Sequence, residues 1–463
     1  MLAEIRGLNE ECGIFGIWGH KDAPQVTYYG LHSLQHRGQE GAGMVVKTET
    51  GLIQQKGAGL LSEVFSRDTL EQLSGTAAIG HVRYAALRRG DIADIQPFLF
   101  HFETSSLALC HNGSLVNAIS LRRMLEGQGS IFQTSSDSEI LAHLIKRTPR
   151  DGLVNSLAAS LAQVKGGFAY LLLTNKKMIA TRDPNGIRPL SIGKLGDSYV
   201  IASETCAFDV IGAEFVRDVE PGEIVVIDDS GLQSIRYTEA GEIAICSMEF
   251  VYFARPDSNI AGMNVHTARK NMGKTLAAEA PVDADVVVPV PDSGISSAIG
   301  FAEASGIPYE IGLIKNRYVG RTFIQPSQEL REQGVKMKLS AVRGVVEGKR
   351  VVLVDDSIVR GTTSKRLVTL LRGAGAAEVH MRIPCPPLKY PCFYGIDFKE
   401  PSELIAHQKS VEDIRQILGV DSLSFLSVDG LVNAVDLDFH GKYRGLCVAY
   451  FNGDYPTPLY DFA

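Results

Sequence analysis

The chain has 463 residues, of which 45% are hydrophobic and 21% charged, and its formal net charge is −7. This length predicts two or three domains, and the composition excludes an intrinsically disordered chain. The sequence has no basic cluster and no apolar stretch of membrane-spanning length. We therefore expect neither nucleic acid nor a membrane as a partner.

The amino-terminal residues raise the question of what Cys12 does. Residues 1–11, MLAEIRGLNEE, lack the basic start and apolar middle of a signal peptide. Seven scattered cysteines, an odd number, do not form a disulfide framework, which predicts a cytoplasmic protein. Cys12 is therefore either a buried core thiol or a nucleophile. As a nucleophile it would need a base from elsewhere, because no histidine adjoins it.

The first half of the chain is predicted to be rich in β-structure. Short strand patterns cut by turns occur in IFGIW, GAGMVVKT, AAIGHVRY, SLALCHNG, FAYLLLT, KMIAT and EIVVIDD, and a helical pattern occurs in SDSEILAHLIKR. We expect packed β layers flanked by helices.

The pattern changes near residue 240. The apolar strand in DADVVVPVPDSG precedes a helix in SSAIGFAEASG, and KRVVLVDDSIVRGTTSKRLVTLLRGAGAAEV repeats this order. Continuous apolar strands that alternate with helices predict a parallel sheet covered on both faces. The predicted fold therefore combines α+β and α/β domains, with boundaries at residues 12–240 and 241–463.

The most specific chemical motif is VVLVDDSIVRGTTS, residues 351–364. Asp355 and Asp356 end a strand at the sheet edge where α/β folds bind ligands. Their side chains point to opposite sides, which suits separate hydroxyls or a magnesium shell. The following loop offers backbone N–H groups and hydroxyls for a phosphate, from Gly361, Thr362, Thr363 and Ser364. The alternative is a generic turn with an acidic helix cap.

This motif resembles the phosphoribosyl pyrophosphate signature of type I phosphoribosyltransferases. The resemblance implies that the two aspartates hold the ribose hydroxyls and Mg²⁺, and that the GTTS loop holds the 5′-phosphate. VPVPDSG (288–294) resembles the pyrophosphate loop, with Ser293 near the metal. KNRYVGRTFIQP (315–326) and KMKLS (336–340), which contains the substrate-binding Lys338, resemble a mobile flap. With CSMEFVYFARPDS (246–258), these motifs identify the chain as a member of the glutamine phosphoribosylpyrophosphate amidotransferase family.

The family resemblance implies an N-terminal-nucleophile (class II) glutaminase in the first half. Removal of residues 1–11 as a propeptide would leave Cys12 first, and a freed α-amine titrates near pH 8, so it can serve as the general base. The other implied glutamine-site residues are Arg37 in LQHRGQEG, Arg83 in GHVRY, Asn112 and Gly113 in HNGSL as the oxyanion hole, and Asp137 in TSSDSE.

Each of these residues also has a structural alternative. Arg83 could form a surface ion pair, Asp137 could cap a helix, and Asn112-Gly113 could form a hairpin turn. The sequence also departs from the family in RYAALRRG (83–90), where Ala86 replaces a threonine that contacts glutamine. Either glutamine is bound more weakly here or this loop has been rebuilt.

One branch of the family carries a [4Fe–4S] cluster on four cysteines. Cys246, Cys392 and Cys447 fill three of these positions, but Tyr450 occupies the fourth. Since such a cluster normally has four thiolates, we expect no stable cluster. Ligation by Tyr450 or by Cys385 is the alternative.

The resemblance implies an enzyme that hydrolyses glutamine at Cys12 and passes ammonia to C1 of phosphoribosyl pyrophosphate. The products are 5-phosphoribosylamine, glutamate and pyrophosphate, in the first committed step of purine biosynthesis. The family also implies Mg²⁺, a homotetramer and feedback inhibition by purine nucleotides. Two rivals are an amidotransferase with another acceptor, which the DDSIVRGTTS loop disfavours, and a DNA-binding nucleotide sensor, which Cys12 and the acidic chain disfavour.

Overall fold

The computed structural model describes residues 12–84, 92–102, 105–148, 150–316, 339–396 and 400–462. Three sequence predictions therefore lie outside the described residues. They are the propeptide 1–11, the RYAALRRG loop beyond Tyr84, and Lys338 with most of the flap.

Short antiparallel strands dominate the described part of the first half. The strands are β1 (Gly13–Trp18), β2 (Gly41–Lys47), β3 (Leu52–Ala58), β4 (Ala77–Arg83), β5 (Phe98–His101), β6 (Ser106–Leu115), β7 (Gly166–Leu173), β8 (Met178–Arg182), β9 (Ser191–Leu195), β10 (Ser198–Ala202), β11 (Glu214–Asp218), β12 (Glu223–Asp228) and β13 (Gly231–Arg236). The helices are α1 (Ala23–Ser33), α2 (Leu61–Val64), α3 (Arg67–Gln72), α4 (Ala118–Gly127), α5 (Glu139–Arg147), α6 (Leu153–Leu161) and α7 (Cys206–Ile211).

These strands form two sheets that pack face to face. One sheet has the order β11-β9-β10-β1-β4-β2-β3, and the other has the order β13-β12-β8-β7-β6-β5. Successive side chains of a strand point to opposite faces, and β1 shows the result. Ile14 and Trp18 join the core between the sheets, whereas Phe15 and Ile17 pack on the outer face.

Helices cover both outer faces of this sandwich. Apolar residues of α1 and α7 pack on the first sheet, and those of α4, α5 and α6 pack on the second. The predicted arrangement of β layers flanked by helices is therefore confirmed.

The second half contains a parallel sheet, as predicted. Its strands are β14 (Ile245–Cys246), β15 (Asn259–Ile260), β16 (Met263–Asn264), β17 (Val286–Pro289), β18 (Leu313–Lys315), β19 (Leu339–Ala341), β20 (Arg350–Val354), β21 (Glu378–Ile383), β22 (Ser422–Phe425) and β23 (Leu446–Cys447). Its helices are α8 (Val265–Glu279), α9 (Ile295–Ser305), α10 (Arg343–Val346), α11 (Thr362–Gly373), α12 (Ile405–Gln408), α13 (Val411–Leu418), α14 (Val428–Val435) and α15 (Ala449–Asn452). The order β17-β20-β21-β22 is parallel throughout.

The parallel sheet brings two predicted loops to one edge. Since β17 and β20 are parallel neighbours, the loop after Pro289 and the loop after Val354 lie side by side. Gly294 allows their close approach, because a Cβ there would lie 2.3 Å from the Val354 carbonyl oxygen.

The predicted domain boundary at 240/241 falls between β13, which ends at Arg236, and β14, which begins at Ile245. It stays a prediction. In the ranges that the structure describes, every helix is too short or too polar to span a membrane.

Candidate active sites

The candidate nucleophile Cys12 lies at the start of β1. Its half-buried thiol donates to the Tyr84 carbonyl oxygen at 3.7 Å. Burial raises the pKa of this thiol, and the charges of Arg83 and Arg37 only partly oppose the rise. A thiol of this kind is protonated at neutral pH, so its attack on a carbonyl carbon requires a nearby base.

Arg83 lies beside Cys12 because β1 and β4 pair, with Gly13 opposite Val82. Its guanidinium donates to the Asp94 carbonyl oxygen and lies 3.8 Å from the Asp94 carboxylate. The Asp94 side chain is itself buried. The arrangement is therefore not a surface ion pair.

Asn112 and Gly113 lie within β6 rather than at a hairpin turn, since Asn112 pairs with Ala169 of β7. Gly113 has a φ of +133°, and a Cβ there would lie 2.1 Å from the Gly167 carbonyl oxygen. Within the described structure, neither polar side-chain atom of the fully buried Asn112 has a hydrogen-bond partner. A buried amide without partners is costly, and a ligand oxygen would satisfy its N–H group.

Asp137 lies next to this strand. Its carboxylate accepts from the Leu115 N–H group at 2.8 Å and lies 3.9 Å from Nδ1 of His111. Ser138, and not Asp137, occupies the N-cap position of α5. The alternative role of Asp137 as the N-cap of this helix is therefore wrong. The negative charge of Asp137 also acts to raise the pKa of the Cys12 thiol.

Arg37 makes contacts that the sequence did not indicate. Its guanidinium donates to Glu249 at 2.7 and 2.9 Å and to Glu204 at 2.5 Å, and its Nε donates to the Cys12 carbonyl oxygen at 3.3 Å. The predicted contact of Arg37 with glutamine stays a prediction. At the glutaminase site, Arg37 contacts the backbone of the candidate nucleophile Cys12.

Sequence reasoning missed four buried residues at this site. His81 and His111 lie inside the motifs GHVRY and HNGSL, and Glu249 lies inside CSMEFVYFARPDS. Their positions in these motifs could have marked all three as candidate site residues. Glu204 lies in no motif that we identified. Its buried carboxylate binds Arg37 and His36, and only the structure brings these residues together.

The second candidate site lies at the carboxyl edge of the parallel sheet. Asp355 and Asp356 follow β20, and the Ser293 side chain from the neighbouring loop is close enough to lower the pKa of the Asp355 carboxyl group. Burial first, and then the negative charge of Asp356, raise the pKa of the Asp355 carboxyl group. The structure therefore brings the three predicted metal-site residues together.

The GTTS loop adjoins these acids. Gly361 caps α11 with a φ of +75°, and Thr362, Thr363 and Ser364 form the first turn of this helix. Helix starts have N–H groups without intrahelical acceptors, which suits a phosphate. A cavity of about 660 Å³ extends from Pro291 and Asp292 towards the base of the flap, a volume typical of ligand pockets.

No group of three or more His, Cys, Asp or Glu side chains in the described ranges is arranged to hold a metal ion. Proteins often supply only one or two carboxylates to Mg²⁺, which then keeps several waters or substrate phosphates as its other ligands. Asp355 and Asp356 fit that pattern.

Cys246, Cys392, Cys447 and Tyr450 line one small cavity, which we name the thiol pocket. Cys246 and Cys447 are paired on the parallel strands β14 and β23. Burial raises the pKa of both thiols to about 12.

Cys385 does not line the thiol pocket. Its thiol is instead affected by the charges of Asp356 and Asp355.

The thiol pocket has a volume of about 20 Å³, which is room for about one water molecule. The Tyr450 side chain is buried, and its hydroxyl has no hydrogen-bond partner in the part of the chain that the structure describes. The donor set and the volume do not fit a [4Fe–4S] cluster.

A glutaminase site and a phosphoribosyl site in one chain define a glutamine amidotransferase that acts on a phosphoribosyl substrate. The family profile of the glutamine amidotransferase domain matches residues 81–210, and that of the phosphoribosyl transferase domain matches residues 265–390.

Relatives over the full length specify the family. Amidophosphoribosyltransferase of Bacillus subtilis is 62% identical over 461 residues, which are 99% of this chain and 97% of the relative. The same enzyme of Staphylococcus aureus is 56% identical over 98% of this chain and 93% of the relative. The structure of the B. subtilis enzyme complexed with ADP and GMP has a TM-score of 0.93 at 62% identity, and covers 97% of this chain and 98% of that chain. The chain therefore belongs to the amidophosphoribosyltransferase family, the enzymes of purine biosynthesis that join a glutamine amidotransferase to a phosphoribosyltransferase.

The buried histidines predict how the stability of the protein depends on pH. Burial, and for His81 also the positive charge of Arg83, lower the pKa of His81 to about 3 and that of His111 to about 4. In the unfolded chain both imidazoles titrate near 6.5. Between these values the unfolded state binds more protons, so stability is unaffected above pH 6.5 and falls as the pH drops below it. At pH 5 each histidine should lower the free energy of unfolding by about 2 kcal/mol relative to pH 7.

Calorimetry of the wild type and of His81→Asn at pH 7 and pH 5 measures this effect. The variant should lose less thermal stability between the two pH values than the wild type. An equal loss in both proteins would contradict the assignment.

Proposed function

We propose that the two reactions of this amidophosphoribosyltransferase occur at the two sites described above. Glutamine is hydrolysed at Cys12, and ammonia then reacts at C1 of phosphoribosyl pyrophosphate beside Asp355 and Asp356. The observation that carries the proposal is that the charges of Arg83 and Asp137 both act on the Cys12 thiol. Strand β6, which contacts β1, also contains the buried Asn112 amide, which has no hydrogen-bond partner among the described residues.

In the glutaminase site, removal of residues 1–11 would give Cys12 a free α-amine. This amine takes the thiol proton while Sγ attacks the side-chain amide carbon of glutamine. The Asn112 side-chain N–H and the Gly113 backbone N–H stabilise the oxyanion. The proton then passes to the departing ammonia, and water hydrolyses the thioester to glutamate. Arg83 binds the substrate α-carboxylate and Asp137 binds its α-ammonium group.

In the transferase site, ammonia reaches the substrate inside the protein and displaces pyrophosphate from C1 to give 5-phosphoribosylamine. Gly361, Thr362, Thr363 and Ser364 bind the 5′-phosphate, and Lys338 of the flap binds phosphoribosyl pyrophosphate. Asp355 and Asp356 would hold the ribose hydroxyls and, with Ser293, Mg²⁺. When bound, Mg²⁺ supplies positive charge against the pyrophosphate leaving group.

We also propose regulation by purine nucleotides and a homotetramer. The support for nucleotide regulation is the complex of the B. subtilis relative with ADP and GMP. The homotetramer rests on the family resemblance alone.

Finally, we propose that this chain holds no [4Fe–4S] cluster. Three thiols, those of Cys246, Cys392 and Cys447, remain at the four positions that hold cysteines in the cluster-bearing branch of the family. The fourth position is a phenol, and the remaining cavity of about 20 Å³ is too small for a cluster.

The glutaminase proposal predicts a processed amino terminus. The intact mass of the purified enzyme should be that of a chain beginning at Cys12. Cys12→Ser should abolish glutamine-dependent synthesis but leave ammonia-dependent synthesis intact, because only the first needs the nucleophile. A fully active protein that still carries Met1 would refute the proposal.

The transferase proposal predicts that Asp355→Asn combined with Asp356→Asn impairs both glutamine- and ammonia-dependent synthesis. Hydrogen bonds to charged groups contribute about 1.5–3 kcal/mol each, so the loss should be about 10²- to 10⁴-fold. Asp283→Asn is the matched control, since Asp283 precedes β17 and pairs with Arg350, the first residue of β20, at the end of this strand opposite to Asp355. Near-normal ammonia-dependent turnover of the double variant would mean that the transferase site lies elsewhere.

The cluster proposal predicts a nearly colourless protein after anaerobic purification, with iron and acid-labile sulfide well below about four per chain. Tyr450→Cys should acquire a brown cluster on reconstitution, because it restores the fourth thiol and removes the phenol ring. Tyr450→Phe is the control and should stay colourless. A brown wild-type protein with about four of each would overturn the proposal, and Tyr450→Phe and Cys385→Ala would then identify its fourth ligand.

A further inference from the structure

Four buried charged side chains form a connected group that reaches Cys12 through Arg37, and we name them the charge cluster: Arg37, Arg188, Glu204 and Glu249. Their residues are at most 1% exposed. Glu249 lies between the two arginines, 2.7 Å from Arg37 and 3.6 Å from Arg188. Two positive and two negative charges balance in the cluster, as burial of ionised groups requires.

Glu249 belongs to the second half of the chain, whereas Arg37 belongs to the first. Both oxygens of the Glu249 carboxylate accept from the two terminal nitrogens of Arg37. This bidentate pair fixes the plane of the guanidinium. The remaining Nε of Arg37 donates to the Cys12 carbonyl oxygen. Glu249 therefore helps to determine, together with Glu204, where Arg37 holds the backbone of Cys12.

Glu249 is itself fixed by elements of the transferase half. It begins a π-helix, Glu249–Phe253, a form that frequently occurs at functional sites. Arg269 of α8 donates to the carbonyl oxygens of Phe250 and Ala254 at 2.7 and 2.8 Å. The hydroxyl of Ser297 in α9 donates to the Arg269 carbonyl oxygen at 3.0 Å.

Helices α8 and α9 pack so closely that they have little room to move relative to each other. A Cβ on Gly273 of α8 would lie 1.9 Å from the Ser297 carbonyl oxygen. Helix α9 begins at Ile295, directly after the Ser293–Gly294 loop of the transferase site. A continuous set of contacts thus joins that loop to Glu249.

We propose that Glu249 is a positioning residue for glutamine hydrolysis, acting through Arg37 on Cys12. The proposal rests on the assignment of Cys12 as the nucleophile. After processing, Cys12 would be a chain terminus, so the Arg37 contact restrains a residue with no preceding chain to hold it. Misplacement of a reacting group by about 1 Å can cost about 10²-fold in rate. Glu249 thereby makes the glutaminase geometry depend on the transferase half.

Glu249→Gln in the processed full-length enzyme tests this role. The amide has nearly the same size but accepts with one oxygen only, so the bidentate pair is lost. The kcat for glutamine hydrolysis should fall about 10²-fold, while KM for glutamine and the rate of ammonia-dependent synthesis should stay close to wild type. Glu303→Gln is the matched control, because it breaks exposed ion pairs with Lys270 and Lys274. This control should change neither rate.

Glu249→Asp provides a second variant that retains the buried charge and shortens the side chain. Its kcat for glutamine should fall about tenfold, between wild type and Glu249→Gln. Normal glutamine hydrolysis in both variants, or an equal loss of the glutamine and ammonia reactions, would overturn the positioning role. Glutamine-dependent activity in Cys12→Ser would instead refute the assignment of the nucleophile, so the two failures are distinguishable.

Discussion

The bidentate ion pair between Arg37 and Glu249 is the interaction that connects the candidate glutaminase site to the second half of the chain. Neither residue is exposed, and an uncompensated buried charge would be strongly destabilising. Burial alone would lower the pKa of Arg37, but the carboxylates of Glu249 and Glu204 raise it above its ordinary value. The Arg37 guanidinium therefore stays ionised, and separating the halves at this point would remove Glu249 from it while Glu204 stayed in place. This ion pair therefore connects the residue that holds the Cys12 backbone to the second half of the chain.

Each site is assembled by the ends of strands. Antiparallel pairing of β1 with β4 brings the start of one strand beside the end of the other, so Cys12 meets Arg83. Strand β6 of the facing sheet supplies Asn112. In the second half, parallel strands place the ends of β17 and β20 together instead. Antiparallel and parallel sheets thus reach the same result, a cluster of side chains at a sheet edge, by different topologies.

The sequence predicted the local elements well, because their periodicity reflects burial. The strands around IFGIW and FAYLLLT and the helix in SDSEILAHLIKR all occur where expected. The loop with Asp355 and Asp356 was also predictable, since its chemistry lies within a few consecutive residues. These features depend on near neighbours in the chain.

The contacts of the charge cluster were not predictable in this way. Arg37 and Glu249 are separated by 212 positions, and no periodic pattern connects residues so far apart. The same limit applies to the thiol pocket: the sequence shows that Tyr450 is not a cysteine, but only the packing shows how little volume remains around it. Long-range partners and cavity sizes require the fold.

The filling of the thiol pocket by the chain's own side chains has a consequence for protein synthesis in the cell. A polypeptide that completes its core with a tyrosine ring needs no iron, sulfide or assembly machinery to finish folding. Without a cluster, the supply of active enzyme would depend on translation and removal of residues 1–11, and not on iron. Growth under iron starvation would then leave the first step of purine synthesis with its full complement of catalyst.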